Sequence, residues 1–257
     1  MNKVNDKWVS PYWHPAVTSD AVIFGFDGSD LNILLIQRKN EPFKNCWAIP
    51  GGFLEQSDDN SEECAKRELK EETSADCLTL YEVGAFTDKN RDPRERVISI
   101  AYYALVNKME YNVQAADDAN KAEWIKVSDL EQIELAFDHE KIIEAALEKL
   151  RNRVLSEPLC FSLLDKEFSL SQLHGIYQAI LDPNRQNDQL SDIENFKTKM
   201  LGLKNGTIEN TGSAKSIFQL IRPAVIPSKN QEGEELYCFN RKEYNANGII
   251  DMARMVI

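Results

Sequence analysis

Apolar positions follow two rhythms along the chain, and the texture changes near residue 155. "AVIFGF" (Ala21 to Phe26) and "LNILLIQR" (Leu31 to Arg38) flank "DGSD", an Asp-Gly turn signal that predicts a β-hairpin. "CWAIPGGF" predicts a short strand closed by Pro50, Gly51 and Gly52. Helical spacing then runs from about residue 60 to 74, with Asn60 a suitable N-cap and Glu63 placed to complete a capping box. "LTLYEVGAFT", "RVISIAYYALV" and "KAEWIKVS" predict further strands, rich in Val, Ile, Tyr and Trp. The clearest helix is "DHEKIIEAALEKLRNRV", where Asp138 is positioned as a cap and Ile142, Ile143, Ala146, Leu147 and Leu150 form one apolar stripe.

Strands and helices mixed in this way, with several strands in direct succession, predict an α+β or sandwich-like arrangement over residues 1–154 rather than a regular βαβ array. Residues 155–257 read as a second unit. "SEPLCFSLLDKEF" is a connector, "SLSQLHGIYQAIL" a helix, Ser191 to Leu201 another, and "IFQLIRPAVIPSKNQEGEELYCFN" two β-type runs around a polar tip. Helix, helix, hairpin is the order of a winged helix-turn-helix.

Composition narrows the class. No apolar run approaches the roughly 20 residues of a membrane span, and the N-terminus lacks a secretory apolar core, so a cytoplasmic protein with no membrane partner is expected. The five cysteines and three histidines are scattered without metal-ligand spacing, which reads as reduced thiols and structural histidines. Net charge is −12, with −10 carried by residues 1–156 and −2 by residues 157–257. An acidic chain does not draw phosphate-rich partners by its overall field; it must meet them through bound metal ions or a local basic patch.

The stretch Pro50 to Asp76 crowds carboxylates onto one helix. At 100° per residue, Glu68, Glu71 and Glu72 fall within an arc of roughly 100° beside Ala65 and Leu69, at the edge of the buried face. Arg67 precedes Glu71 by four and pairs with it. Acids so crowded repel one another unless a divalent cation sits between them, and hard oxygen ligands suit Mg²⁺ or Mn²⁺. A solvated acidic face is the competing reading.

The pattern from Gly52 through "RELKEETS" (Arg67 to Ser74) resembles the signature of the Nudix hydrolases: Gly, five residues, Glu, seven residues, then Arg-Glu-aliphatic-any-Glu-Glu-any-Gly. The resemblance implies an α/β/α sandwich, with Glu68, Glu71 and Glu72 as ligands of Mg²⁺ or Mn²⁺ and Arg67 orienting them. It implies metal-assisted hydrolysis of a P–O–P linkage, the proton of the attacking water going to a helix glutamate or to Asp117 or Asp118. The chain departs from the signature at three places. The loop between Gly52 and Arg67 is one residue longer, Asp58 or Asp59 stands for the upstream Glu, and Ser74 stands for the terminal Gly.

Arg91, Arg94 and Arg96 crowd a loop around Pro93, a candidate anion site unless Asp92 and Glu95 occupy them. Together with "ADDANKAEW", "AFDHEKII" and the C-terminal segments, this loop is similar to one Nudix subgroup. That subgroup comprises ADP-ribose pyrophosphatases and NrtR-type regulators, in which a winged helix follows the Nudix domain. The resemblance implies a homodimer that binds ADP-ribose or a related nucleoside diphosphate derivative, with Arg38, Gly51 and Gly52 beside the three arginines at the substrate. Hydrolysis of ADP-ribose would give AMP and ribose 5-phosphate. Trp8, Tyr12 and Trp13 are candidates to stack on adenine or to pack internally. Two functions follow, a pyrophosphatase or a DNA-binding regulator. For the second, Lys197, Lys199, Lys204, Lys215 and Arg222 are the candidate DNA contacts, a sparse set beside Glu194 and the "EGEE" run.

Overall fold

Two long strands set the frame. In the computed structural model, which describes residues 2–4, 7–10, 12–74, 79–111, 119–184, 186–201, 203–204, 207–208, 228–229 and 235–237, a small hairpin of β1 (Asn2–Val4) and β2 (Lys7–Val9) precedes β3 (Ala16–Phe26) and β4 (Leu31–Arg38). The Asp-Gly turn joins β3 and β4 as the sequence predicts: Asp27 Oδ1 accepts from the amides of Ser29 (3.0 Å) and Asp30 (2.8 Å), and Gly28 adopts φ 95°.

That hairpin is zipped only at its turn end, Phe24 to Phe26 against Ile33 to Leu31. Beyond it the strands diverge. β5 (Trp47–Ala48) fills the gap along β4, and β6 (Gly51–Phe53) fills it along β3. The helix α1 (Ser61–Thr73) follows, then β7 (Tyr81–Phe86), β8 (Val97–Asn107) and β9 (Ala119–Lys126), which closes on β4. β8 runs parallel to β3 along all 11 of its residues and antiparallel to β7. The result is one seven-stranded mixed sheet.

Alternation along β3 sends Ser19, Ala21 and Ile23 to one face and Thr18, Asp20, Val22, Phe24 and Phe26 to the other. Ala65 and Leu69 of α1 cover the first face with Ala21, Ile23 and Leu34. The second face is covered by α2 (His139–Val154), whose buried residues include the expected stripe of Ile142, Ile143, Ala146, Leu147 and Leu150. This is a mixed α/β sandwich with a helix on each face.

The core on the α2 face does not stop at residue 154. Leu159, Cys160 and Leu163, in the segment the sequence presents as a connector, are buried against it. So are Leu173, Ile176, Tyr177 and Ile180 of α3 (Leu170–Leu181), which follows β10 (Phe168–Ser169). Arg151 Nε donates to the Ile180 carbonyl at 3.1 Å. Next come α4 (Asp188–Ser191), α5 (Ile193–Leu201), and the short strands β11 (Leu203–Lys204) and β12 (Thr207–Ile208). β13 (Ser228–Lys229) and β14 (Glu235–Tyr237) form an antiparallel pair that joins β10 in a three-stranded sheet. The first of the two expected β-type runs, from Ile217, lies outside the described residues. None of the described helices is long and apolar enough to cross a membrane.

Candidate active site

The divergence of β3 from β4 creates the site. β6 pairs with the first half of β3, Ser19 opposite Gly52 and Asp20 opposite Gly51, and so brings the Gly-Gly backbone beneath α1. Glu68 and Glu72, one turn apart on α1, reach over that backbone. The Gly51 amide donates to Glu72 Oε2 at 3.0 Å. A Cβ on Gly52 would collide with the Glu68 carboxylate, so glycine is needed there to let the acid lie close.

Arg67 braces the helix to the loop before it. Its Nε and Nη2 each lie 3.0 Å from Asp58, Nη1 bonds Glu68 Oε1 at 2.7 Å and Glu71 Oε2 at 3.2 Å, and Nη2 donates to the Phe53 carbonyl at 3.0 Å. Asp58, not Asp59, is therefore the upstream acid that faces the helix. The guanidinium holds its carboxyl down at about 2. At the far end of α1, Ser74 adopts φ 61°, the left-handed cap conformation, and its amide donates to the Lys70 carbonyl at 3.0 Å.

Between the split strands lies a cavity of about 360 Å³. Glu68, Glu72 and Asp20 are among its acids, with Glu41, Glu55 and Asp92. Burial pushes Glu72 up to about 8 and also raises Glu68 despite its bond to Arg67. Burial lifts Asp20 to about 6, against the pull of the Ser99 hydroxyl that donates to it and of Arg91, 3.8 Å away. Arg38, Lys39, Arg91 and Arg94 supply the cations. Arg91 is buried and bound at 3.1 and 2.7 Å to Asp138, while Arg94 grips Asp92 and lies over the rings of Phe53 (5.0 Å) and Phe137 (5.5 Å). Arg38 stacks on Phe137 at 4.8 Å and donates from Nε to the Pro42 carbonyl. Phe137 itself holds φ 55°, a strained position for a bulky residue. His139 accepts the Ile49 amide at Nδ1 (3.1 Å), and burial drives its pKa down to about 3, so the ring is neutral.

The pattern of the NUDIX domain matches residues 14–146, just over half of the chain. This chain belongs to the NUDIX family. An ADPR responsive transcriptional repressor, NtrR, of Acinetobacter baylyi is 34% identical over 239 residues, covering 93% of this chain and 87% of that protein. An ADP-ribose pyrophosphatase of Methanocaldococcus jannaschii is 44% identical over 133 residues, 52% of this chain and 73% of that protein. Among solved structures, Shewanella oneidensis NrtR matches with a TM-score of 0.66 at 25% identity, covering 89% of this chain and 96% of that one.

Of the NUDIX residues singled out in the sequence, Arg38, Gly51, Gly52, Glu68, Glu72, Arg91 and Arg94 line one cavity. Arg67, Glu71 and Arg96 do not. Glu71, its side chain 58% exposed, turns back to Arg67. No group of three or more His, Cys, Asp or Glu side chains among the described residues is placed to hold a metal ion, so the three glutamates do not converge as the sequence implies. Arg67 separates them, satisfying Glu68 and Glu71 from one nitrogen. Buried Glu72 and half-buried Glu68, flanking a Gly-Gly backbone, still form an all-oxygen donor set that fits a hard divalent cation.

Asp117 and Asp118 lie outside the described residues, as do Lys215, Arg222 and the side chains of Trp8, Lys199 and Lys204. Lys197 pairs with Glu194 at 3.1 Å, and Tyr12 and Trp13 are 75% and 70% exposed. Sequence reasoning missed Asp20, His139, Phe53 and Phe137. Only Asp20 left a signal, an acid inside the otherwise apolar run "SDAVIFGF".

Proposed function

We propose that this cavity binds ADP-ribose or a closely related nucleoside diphosphate sugar and hydrolyses its P–O–P linkage with the help of a divalent cation. The observation that carries the reading is the placement of Glu68 and Glu72 over Gly51–Gly52, in the same cavity as Arg38 and Arg94. The ADP-ribose named for both relatives supports the choice of ligand. Glu68 and Glu72 would hold Mg²⁺ or Mn²⁺, with Glu71 joining on leaving Arg67. The cation's chemistry there is to neutralise the diphosphate and acidify a bound water. Arg67 keeps the acids in place from behind, and Arg38 and Arg94 hold the phosphates.

Turnover of ADP-ribose to AMP and ribose 5-phosphate, measured with each metal, tests the reading. Glu72→Gln is expected to lower kcat roughly 100-fold or more while the protein stays folded. Absence of turnover by the folded wild-type protein in either metal would sink it.

A second reading is favoured by a separate observation. The repressor likeness spans 93% of the chain, and the α2-face core continues into α3. On this reading residues 155–257 form a winged-helix unit that binds DNA, and ligand in the cavity sets its affinity. ADP-ribose bound without turnover, together with salt-sensitive DNA binding that the ligand alters, is the expected result.

A further inference from the structure

His139 brings to the cavity a hydrogen-bond donor that the described protein leaves unused. Its ring is 5% exposed and lines the cavity with Arg38, Arg91 and Phe137. The Ile49 amide donates to Nδ1 at 3.1 Å, which requires that nitrogen to carry no proton. The ring is neutral, because burial, with Arg91 and Arg38 nearby, disfavours a further positive charge. Its one proton therefore sits on Nε2, which is a donor and nothing else. Nε2 has no hydrogen-bond partner among the described residues. Nor is it shut away from open space in the manner of the Thr18 hydroxyl and the Trp124 indole nitrogen. With Nδ1 turned to the backbone between β5 and β6, the ring's other nitrogen opens on the cavity. A buried donor without a partner calls for an acceptor.

We propose that His139 is a ligand-contact residue whose Nε2–H donates to an oxygen of the bound diphosphate. The proposal rests on the cavity being a nucleoside diphosphate site. The surroundings select the acceptor. Arg38 and Arg91 are cations, and His139 opens α2, where the helix dipole is positive. Asp138 and Asp92 are turned to Arg91 and Arg94, and neither bonds Nε2. A group that only accepts and carries negative charge suits this corner. A sugar hydroxyl suits it less, since it has a proton to donate and the one acceptor of His139 is taken by Ile49. A neutral donor also holds an anion without setting a third positive charge beside Arg38 and Arg91 in the free protein. The bond to Ile49 fixes the ring's orientation, so the donor is aimed before the ligand arrives.

Calorimetric titration of the full-length protein with ADP-ribose and with inorganic pyrophosphate, both in EDTA to prevent turnover, tests this. The decisive variant is His139→4-thiazolylalanine, whose ring keeps an acceptor in place of Nδ1 and carries sulfur in place of Nε2–H. It is expected to weaken both ligands about tenfold, the worth of one hydrogen bond. His139→Asn, which retains only the acceptor toward Ile49, is expected to do the same. The ligand-free melting temperature of the thiazolyl variant stays at that of wild type, because the Ile49 amide keeps its partner. Imidazole ¹⁵N spectra of wild type are expected to show the proton on Nε2, with its resonance moving downfield when either ligand binds. The proposal is overturned if the thiazolyl variant leaves both affinities intact, or if the proton is found on Nδ1. It is equally overturned if ADP-ribose weakens while pyrophosphate does not, which would assign the donor to a sugar or base. Wild-type protein that binds neither ligand would instead remove the underlying reading of the cavity, and this inference with it.

Discussion

His139 shows how burial, rather than residue type, sets behaviour at a single position. Its unfolded ring titrates near 6.5, whereas in the fold the pKa lies at about 3 because burial penalises the charged form. Between those values the unfolded chain binds a proton that the folded one refuses. The contribution of His139 to stability is thus complete above pH 6.5 and shrinks as pH falls, by at most about 1.4 kcal/mol per pH unit. Asp20 and Glu72 act in the opposite sense, since their raised values favour the fold at low pH and lose that contribution as pH rises through about 6 and 8. Comparison with His139→Gln, which keeps an acceptor for the Ile49 amide, isolates the ring. Chemical denaturation at pH 7.5 and 5 is expected to show wild type losing more stability on acidification than the variant, and parallel losses would refute the assignment. At this scale the sequence reveals what is local. Asn60 caps α1, accepting from the Glu62 and Glu63 amides, and Arg67 reaches Glu71 four residues on. Two other local expectations yield to competition. Glu63 turns to Lys66 instead of completing the capping box, and the Asp138 carboxylate leaves the start of α2 for Arg91, 47 residues away in sequence.

Elements were legible in proportion to the strength of their period. The hairpin, α1 and α2 follow from turn chemistry and apolar spacing, and lie within a few residues of expectation. The parallel alliance of β3 with β8 was not legible, because no local pattern states which distant strand will be a neighbour. The same holds for the parting of β3 from β4, on which the whole site depends. Two adjacent glycines test that geometry. A Cβ at Gly52 meets only the mobile end of Glu68, so Gly52→Ala should displace that carboxylate and weaken ligand binding with little change in melting temperature. At Gly51 the added carbon would lie 2.6 Å from the Ser19 carbonyl oxygen and 2.8 Å from Asp20 Cα, both backbone atoms. Gly51→Ala should therefore cost roughly 1–3 kcal/mol of folding stability. Thermal scans with and without ligand separate the two, and equal melting temperatures for both variants would contradict the packing described.

Across the molecule, the boundary expected at residue 154 cuts through a continuous core. Leu159, Leu163, Leu173, Ile176 and Ile180 pack with Leu147, Leu150 and Val154 in one cluster. Each such side chain contributes about 1.5–3 kcal/mol when fully buried. A fragment ending at Val154 is therefore expected to melt below the full chain and to bind an apolar dye, both readable in one thermal scan; equal melting would show that the α2 face needs no cover. The sequence hid this because "SEPLCFSLLDKEF" has the texture of a linker, and nothing in its spacing tells a packed strap from a loose one. One helix runs the full distance between these regions. At its first turn α2 presents His139 to the cavity, with Asp138 clasping Arg91 just before it; at its last, Arg151 grips α3 and Arg153 is bound to Glu157 and Tyr103. Sixteen residues make a rod about 24 Å long. A shift of the Arg91–Asp138 clasp would act on the same helix from which Arg151 holds α3, so the two halves of this chain share a single axle.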